Sequence, residues 1–263
     1  MSDALSPNTQ AILLLTAPLV VASPTRARAS SASNVAPLSD GEYGRLATHL
    51  RDLRQAPADL LSDRADEVVR GCGAIVPESR LRLLLERGFL LAQALERWQS
   101  RAIWVMSRAD PSYPPRLKQR LGTAAPPILY GCGDPTLLSQ RSLGLAGPSS
   151  VALVRLCADA AVVIVVSESA PAHAGPVVVV LAGHLERAAM QRDHRDALLA
   201  NRLVLVSPRD PGVASDEIAP SIRATLVAAL EDATLDVSTQ AQPLDAAALR
   251  VLMSEGRSAI PNR

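Results

Sequence analysis

Hydrophobic residues change their spacing along the chain near residue 142. Before this point, apolar side chains recur at helical intervals, as at Tyr43, Leu46 and Leu50. After it, short and nearly pure runs of β-branched residues alternate with longer amphipathic segments. The pattern predicts an all-helical part followed by an α/β layer with a parallel sheet.

The helical part begins with a specific start signal. Ser39 is followed three residues later by Glu42, which is the spacing of a capping box. Apolar spacing and glycine breaks predict further short helices near residues 60–69, 79–85 and 90–98. Residues 39–100 are therefore expected to form a small all-helical module.

Residues 1–38 combine an apolar run, Ala11 to Ala22, with a Ser/Ala/Pro-rich stretch, Pro24 to Pro37, that is typical of a flexible linker. No Lys or Arg precedes the apolar run, so the basic start of a secretory signal is missing. The run is also too short to span a membrane. We expect it to form a helix or strand on the helical module of a cytoplasmic protein.

The second part, residues 101–263, is expected to form a shortened Rossmann-like domain. Strands are predicted at residues 143–147, 162–167, 177–183, 203–207 and 235–238. Helices are predicted at residues 151–161, 185–200, 219–230 and 244–253.

One connection in this domain is unusually short. Residues 168–176 separate the second and third predicted strands, and they include Pro171 and Pro176. A parallel crossover usually needs about a dozen residues and carries a helix. Either a bare loop crosses here, or the two strands are not paired in the usual way.

The charge of the chain is nearly balanced overall and uneven locally. The net charge of the 263 residues is +1, which argues against binding nucleic acid by bulk electrostatics. Residues 80–120 hold nine Lys or Arg and three acids, whereas residues 210–263 hold four arginines and eight acids. The basic stretch fits either a solvated arginine face or a surface that contacts phosphate.

The reactive side chains do not form a recognisable catalytic or metal-binding pattern. Cys72, Cys132 and Cys157 are dispersed, which fits a reducing compartment and gives zinc no ligand cluster. The nucleophile elbow, the P-loop and the HExxH motif are all absent from the sequence. We expect a protein that is not an enzyme and that needs no metal or other cofactor.

Two linked motifs carry a resemblance to a known family. They are Ser107 to Lys118, which reads SRADPSYPPRLK and follows Ile103-Trp104-Val105, and Ala125 to Asp134, which reads APPILYGCGD. In these motifs the chain resembles the DprA (Smf) DNA-processing proteins, and the resemblance extends over about residues 80–240. It implies an extended Rossmann domain that binds single-stranded DNA and loads a RecA-type recombinase during natural transformation. The resemblance is also compatible with assembly into a homodimer.

The chain departs from this family at the turns that would bind phosphate. Gly147-Pro148-Ser149 keeps the family's glycine but lacks its arginine, and Pro148 removes an N–H donor. Ser167-Glu168-Ser169 lacks the family's paired glycines and arginine. Arg223 is what survives of a later basic triplet, and residues 239–243 replace a Gly-Gly-Thr turn. An eroded ligand pocket is expected, with the candidates Gly147, Ser149, Ser167, Arg209 and Asp210.

Residual contacts with nucleic acid are expected from basic side chains elsewhere. The candidates are Arg108, Arg116 and Lys118 in the basic stretch, Arg187, Arg192 and Arg195 on one predicted helix, and Arg223. The alternative for the helix is a solvated face whose arginines pair with Glu186, Asp193 and Asp196.

Three functions follow from these features. The first is a DNA-processing or recombination-mediator protein with weak single-stranded DNA binding. The second is a scaffold or interaction protein that kept the fold and lost the ligand. The third is a binder of a small nucleotide or phosphate ligand that uses Arg209, Asp210 and Arg223 at the strand ends.

Overall fold

The computed structural model of the chain describes residues 5–19, 35–167, 170–212, 220–239 and 244–256. Most of the predicted linker at 24–37, part of the turn at 167–169 and the turn at 240–243 lie outside these residues. The chain divides into two units. Unit 1 comprises Met1–Ser100, Val105–Tyr113 and Gly122–Leu129, and unit 2 comprises Arg101–Trp104, Pro114–Leu121 and Tyr130–Arg263.

Unit 1 contains helices near the predicted positions, except that a 3₁₀ turn and a separate α-helix replace the single helix predicted at residues 60–69. They are α1 (Pro7–Thr16), α2 (Asp40–Asp52), α3 (Ala65–Gly71), α4 (Glu78–Leu85) and α5 (Gly88–Gln99), with a 3₁₀ turn at Pro57–Leu61. The capping box is confirmed at the start of α2. Ser39 Oγ accepts a hydrogen bond from Glu42 N at 3.3 Å, and Glu42 Oε2 accepts one from Ser39 N at 2.8 Å.

The apolar N-terminal run forms the central helix of unit 1. Ser6 caps α1 and Pro7 occupies its first turn. Every side chain from Ala11 to Leu15 is buried, so α1 is surrounded by apolar partners on all sides. Residues 11–16 of the run therefore fold as a helix packed on the helical module, one of the two conformations predicted, and residues 20–22 lie outside the described residues. Within the described ranges, no helix is both long and apolar enough to cross a bilayer.

The chain forms one mixed sheet. Its strands are β1 (Ile103–Ser107), β2 (Ile128–Gly133), β3 (Ser142–Ala146), β4 (Val163–Val166), β5 (Val177–Val180), β6 (Leu203–Ser207) and β7 (Ala233–Asp236), in the order β1-β2-β6-β5-β4-β3-β7. Strands β3 to β7 lie wholly in unit 2. The five strands from β3 to β7 are parallel, which confirms the predicted Rossmann-like core. The sequence pattern did not predict β1 and β2, and β2 runs antiparallel to β6.

Helices cover the parallel strands. They are α7 (Val151–Asp159), α8 (Leu185–Ala189), α9 (Arg192–Leu199), α10 (Pro220–Leu230) and α11 (Ala246–Glu255). Helix α6 (Pro115–Leu121) packs against α10. All four residues of β4 and all four of β5 are buried. A strand that is buried on both faces needs apolar side chains at successive positions, which explains the unbroken valine runs.

The described part of the short connection between β4 and β5 is a bare loop. The two strands are parallel neighbours, with Ile164 opposite Val177. Pro176 O accepts a hydrogen bond from Ile164 N at 3.1 Å. The described part of the connection, residues 170–176, contains turns and bends and no helix. The first of the two sequence-based alternatives is therefore correct.

The prediction of one helix over residues 185–200 is wrong. The segment is divided into α8 and α9, because Gln191 takes extended backbone angles, φ −68° and ψ 137°. His194 Nδ1 hydrogen-bonds to the carbonyl oxygen of Ala188 at 2.9 Å and so takes up an acceptor of the last turn of α8. Arg187 consequently lies on a different helix from Arg192 and Arg195.

Candidate nucleic-acid interface

The carboxyl ends of β3 and β7 meet where the strand order of the parallel sheet reverses. Ligands of α/β proteins usually bind at this point. Gly147 follows β3 with φ +96°, a conformation that favours glycine. Val237 N donates a hydrogen bond to Ala146 O at 2.9 Å, and a Cβ at residue 147 would lie 3.7 Å from Ser238 N. The chain after β7 therefore occupies the space beside Gly147.

An aspartate accepts both hydrogen bonds that Ser238 donates at this edge. Asp236 Oδ1 accepts hydrogen bonds from Ser238 Oγ at 2.5 Å and from Ser238 N at 2.9 Å. These bonds hold the pKa of Asp236 below its ordinary value. A fixed negative charge repels phosphate, and the N–H is already used. Sequence reasoning did not single out Asp236, which lies inside the strand predicted at residues 235–238 and is the last residue of β7.

One N–H at the start of α7 also has an internal acceptor. Ser150 is its cap and accepts a hydrogen bond from Leu153 N at 3.2 Å. An anion at this helix start would compete for the same donor. Ser149 is half-exposed just before the cap, and Ser167 is half-exposed after β4. Gly147, Ser149 and Ser167 thus follow two neighbouring strands.

Arg209 and Asp210 lie farther along the same edge, after β6. Two strands separate β6 from β3, a lateral distance of about 14 Å at the usual strand spacing. Asp210 is buried, and its Oδ1 accepts a hydrogen bond from Gly212 N at 3.0 Å. Burial raises the pKa of neighbouring Tyr130 well above its ordinary value, and the charge of Asp210 raises it further. The side chain of Asp210 is therefore part of the protein interior.

Arg116 joins α6 to the end of α10. Its Nη1 donates hydrogen bonds to Ser142 Oγ at 2.9 Å and to Leu230 O at 3.0 Å, and its Nη2 lies 3.1 Å from Asp232 Oδ2. Arg120, which the sequence did not single out, donates to Ala229 O at 3.1 Å. The spacing of four residues between the two arginines was the available signal.

Arg108 also has internal acceptors, and Lys118 is exposed. Arg108 Nη1 donates hydrogen bonds to Thr123 O at 3.2 Å and Ala125 O at 3.3 Å, so it fastens the loop after α6 within unit 1. Lys118 lies on the outer side of α6, and Arg223 is half-buried on α10. The basic stretch of the sequence is therefore largely a set of structural contacts.

The first motif behind the family resemblance is a structural connector. Asp110 accepts hydrogen bonds from Ser6 Oγ at 2.7 Å, Thr9 Oγ1 at 2.7 Å and Ser107 N at 2.6 Å. Burial opposes ionisation of Asp110, but these bonds outweigh it and hold its pKa below the ordinary value. Tyr113 Oη donates to Pro126 O at 2.9 Å. The motif thus fastens α1 to the end of β1.

The second motif is explained by a tryptophan. A Cβ at Gly131 would overlap the indole ring of Trp104, and Trp104 Nε1 donates a hydrogen bond to Gly133 O at 2.8 Å. Gly133 has φ +98°, and a Cβ there would overlap Leu203 O. Both glycines are needed for close approach within unit 2, and neither belongs to a phosphate-binding turn.

The basic side chains on the α8–α9 segment are exposed. Arg187, Arg192 and Arg195, here called the arginine surface, form no hydrogen bond or ion pair with the described residues. Arg192, Arg195 and Leu199 share one face of α9, opposite the buried Ala197. Both helices pack against β6, which fixes their place in unit 2.

Neither a metal site nor an accessible thiol is present among the described residues. No group of three His, Cys, Asp or Glu side chains there could hold a metal ion. All three cysteines are buried. Burial raises the pKa of the Cys132 thiol and raises that of Cys157 to about 11. These thiols are suited to packing rather than to nucleophilic chemistry.

A cavity of about 710 Å³ lies in unit 1. Its lining combines the acids Asp40 and Asp52 with Arg45 and His49 along α2. It contains none of the predicted site residues. The mixed charges give this cavity no preference for phosphate.

Comparison with solved structures identifies the fold. The X-ray structure of DNA processing protein A (DprA) from Streptococcus pneumoniae aligns with a TM-score of 0.51 and 17% sequence identity, over 84% of this chain and 80% of that chain. A structure of DNA processing protein A from Helicobacter pylori, described for its single-stranded DNA binding mode, aligns with a TM-score of 0.37 and 18% identity, over 51% of this chain and 68% of that one. No family model and no curated protein sequence matches the chain. The first alignment shows that the chain has a DprA-like fold, as its motifs predict.

Proposed function

We propose that this chain is a DNA-processing protein of the DprA type, without catalytic activity, that binds single-stranded DNA weakly through its arginine surface. The observation that carries the proposal is the fold shared with the Streptococcus pneumoniae protein over 84% of this chain. A RecA-type recombinase as partner, and assembly into a homodimer, belong to the same proposal and rest on the family resemblance alone.

The state of the other candidate residues favours the arginine surface. At the carboxyl edge, Asp236 adds a negative charge and already accepts the N–H of Ser238, which lies at van der Waals distance from a Cβ at residue 147. Arg108 and Arg116 use their guanidinium groups on carbonyl oxygens of their own units. Arg187, Arg192 and Arg195 keep their donors for an external acceptor, and guanidinium suits phosphate geometry.

Local charge explains why the binding is weak. Residues 185–199 contain three arginines and three acids, Glu186, Asp193 and Asp196, so their formal charges cancel. Glu186 pairs with Arg101 at 3.5 Å, which removes part of its field. With at most three phosphate contacts, the logarithm of affinity should fall with the logarithm of salt with a slope of about −2.

Fluorescence anisotropy with a labelled oligodeoxythymidine tests the proposal. Binding should weaken between about 50 and 200 mM salt with this slope. Replacing Arg187, Arg192 and Arg195 by alanine should lower the affinity at least about tenfold, because each contact is charge-assisted. The matched control replaces the exposed Arg51, Arg64 and Arg70 of unit 1 and removes the same charge. Equal losses in both triple variants, or no binding by the unaltered chain, would contradict the proposal.

An interaction protein that kept the fold and lost DNA binding is the second candidate. It is favoured by two large apolar side chains on the α8–α9 segment, Met190 and Leu199, which are 71% and 75% exposed. Capture of a recombinase by the unaltered chain but not by a Met190→Ser/Leu199→Ser variant, together with a flat anisotropy titration, would favour this candidate.

A further inference from the structure

The aromatic rings of unit 2 are held by contacts of their own. Its whole sequence contains two Phe, Tyr or Trp residues, Trp104 and Tyr130. Tyr130 is 3% exposed. Trp104 lays its indole against Gly131 and gives its N–H to Gly133 O. Tyr130 therefore has no open ring face for base stacking, and the half-buried Trp104 uses its ring and its N–H for contacts within unit 2.

The exposed chemistry of the arginine surface is guanidinium on a rigid support. Arg192 and Arg195 are one helical turn apart, with Cβ atoms about 5–6 Å from each other. The hydrogen bond from His194 to Ala188 O ties α9 to α8, which carries Arg187. Neighbouring phosphates of one extended chain can accept from these side chains in succession, whatever is attached to the sugar.

We infer that the arginine surface recognises a linear chain of phosphates as such, so that an abasic DNA strand or inorganic polyphosphate is bound as well as normal single-stranded DNA. The inference rests on the proposed function for the location of the site and goes beyond it in the class of ligand. Stacking of a single base would add roughly 5- to 150-fold in affinity, so its contribution is readily measured.

Three ligands with equal numbers of phosphates test the inference on the full chain: an oligodeoxythymidine, an abasic oligomer and inorganic polyphosphate. The two oligomers should bind within about threefold of each other, and polyphosphate should displace both. An Arg192→Ala/Arg195→Ala variant should weaken all three ligands by the same factor, and an Arg64→Ala/Arg70→Ala control should weaken none.

Two further measurements guard against hidden base contacts. Trp98 is fully buried in unit 1, so quenching of tryptophan fluorescence by the thymidine oligomer alone would report stacking on Trp104. A His184→Ala variant tests the exposed imidazole before α8. Quenching, a loss of thymidine binding in His184→Ala, or a preference of tenfold or more for the oligomer with bases would overturn the inference.

The outcomes separate the inference from the function on which it rests. Binding of the thymidine oligomer that depends on Arg192 and Arg195, with a preference of tenfold or more over the abasic oligomer, would contradict the inference and leave the proposed function standing. If none of the three ligands binds, both statements are wrong.

Discussion

The glycines of the second motif show how a residue type takes its meaning from its neighbours. In the sequence, Gly131-Cys132-Gly133 lacks the third glycine and the helix of a dinucleotide-binding turn. In the structure, Gly131 lies under the indole ring of Trp104, and Gly133 accepts the indole N–H. Glycine is therefore needed at residue 131 of β2 so that Trp104 can pack against the strand.

Gly131→Ala should destabilise unit 2 by about 1–3 kcal/mol, because the new methyl group overlaps the ring of Trp104. The midpoint of urea unfolding followed by circular dichroism measures the change. Trp104→Ala combined with Gly131→Ala should recover part of the loss relative to the sum of the single changes.

Gly44→Ala is the matched control for this substitution. Gly44 lies on α2 with no atom within 4 Å of the added Cβ, so alanine should be neutral or stabilising there by up to about 1 kcal/mol. Strict additivity of the Gly131 and Trp104 changes would show that the ring is not the obstacle.

At the scale of elements, α6 is a connector between chain segments that are far apart in sequence. Arg116 and Arg120 donate to carbonyl oxygens at the end of α10, where helical carbonyls lack partners of their own. A positive charge at a helix C-terminus is also favourable for the helix dipole. The basic stretch that suggested nucleic acid is here used to fix α10 beside β3.

Arg116→Ala should lower the free energy of unfolding by about 2–4 kcal/mol, because Leu230 O and Asp232 lose a charged partner in a half-buried place. DNA affinity of the folded variant should be unchanged. Thermal unfolding and anisotropy measure the two effects.

Lys118→Ala on the same helix is the control for Arg116. Its side chain is exposed, so stability should change by no more than about 0.5 kcal/mol. An Arg116→Ala variant that keeps its stability but binds DNA more weakly would instead show that Arg116 contacts DNA.

Across the whole molecule, carboxylates with lowered pKa values are spread over both units. Arg82 lowers the pKa of Asp66, and hydrogen bonds lower those of Asp110 and Asp236. A hydrogen bond from Arg80, followed by those from Ser39, lowers the pKa of Glu42 from 4.5 to about 2. Groups of this kind stabilise the fold when ionised, so acid should destabilise the molecule.

The contribution of Glu42 should be complete above pH 4.5 and should disappear as the pH falls towards 2, because its folded pKa is the lower one. The difference in melting temperature between the unaltered chain and Glu42→Gln should shrink over this interval. Arg80→Ala should reduce the change of melting temperature with pH over this interval, because Arg80 is the largest cause of the lowered pKa of Glu42. A difference that is constant with pH would contradict the assignment.

Much of the fold follows from the order of residues alone. The capping box at Ser39, the valine strands β4 and β5 and the parallel core depend on propensity and spacing within a few residues. The lack of glycine and arginine in Ser167-Glu168-Ser169, after β4, is also a local feature of the sequence. The motifs at residues 107–134 indicate the fold that the structural comparison shows.

Tertiary structure decided which side chains are available. Arg116 and Lys118 lie two residues apart on one helix, yet one faces the end of α10 and the other faces solvent. Gly131 packs against Trp104, which comes from another strand. Asp236 accepts a hydrogen bond from Ser238 N in the turn that follows it. The exposure of a side chain and its hydrogen-bond partners depend on segments that are distant in the chain. Short-range sequence patterns therefore do not predict them.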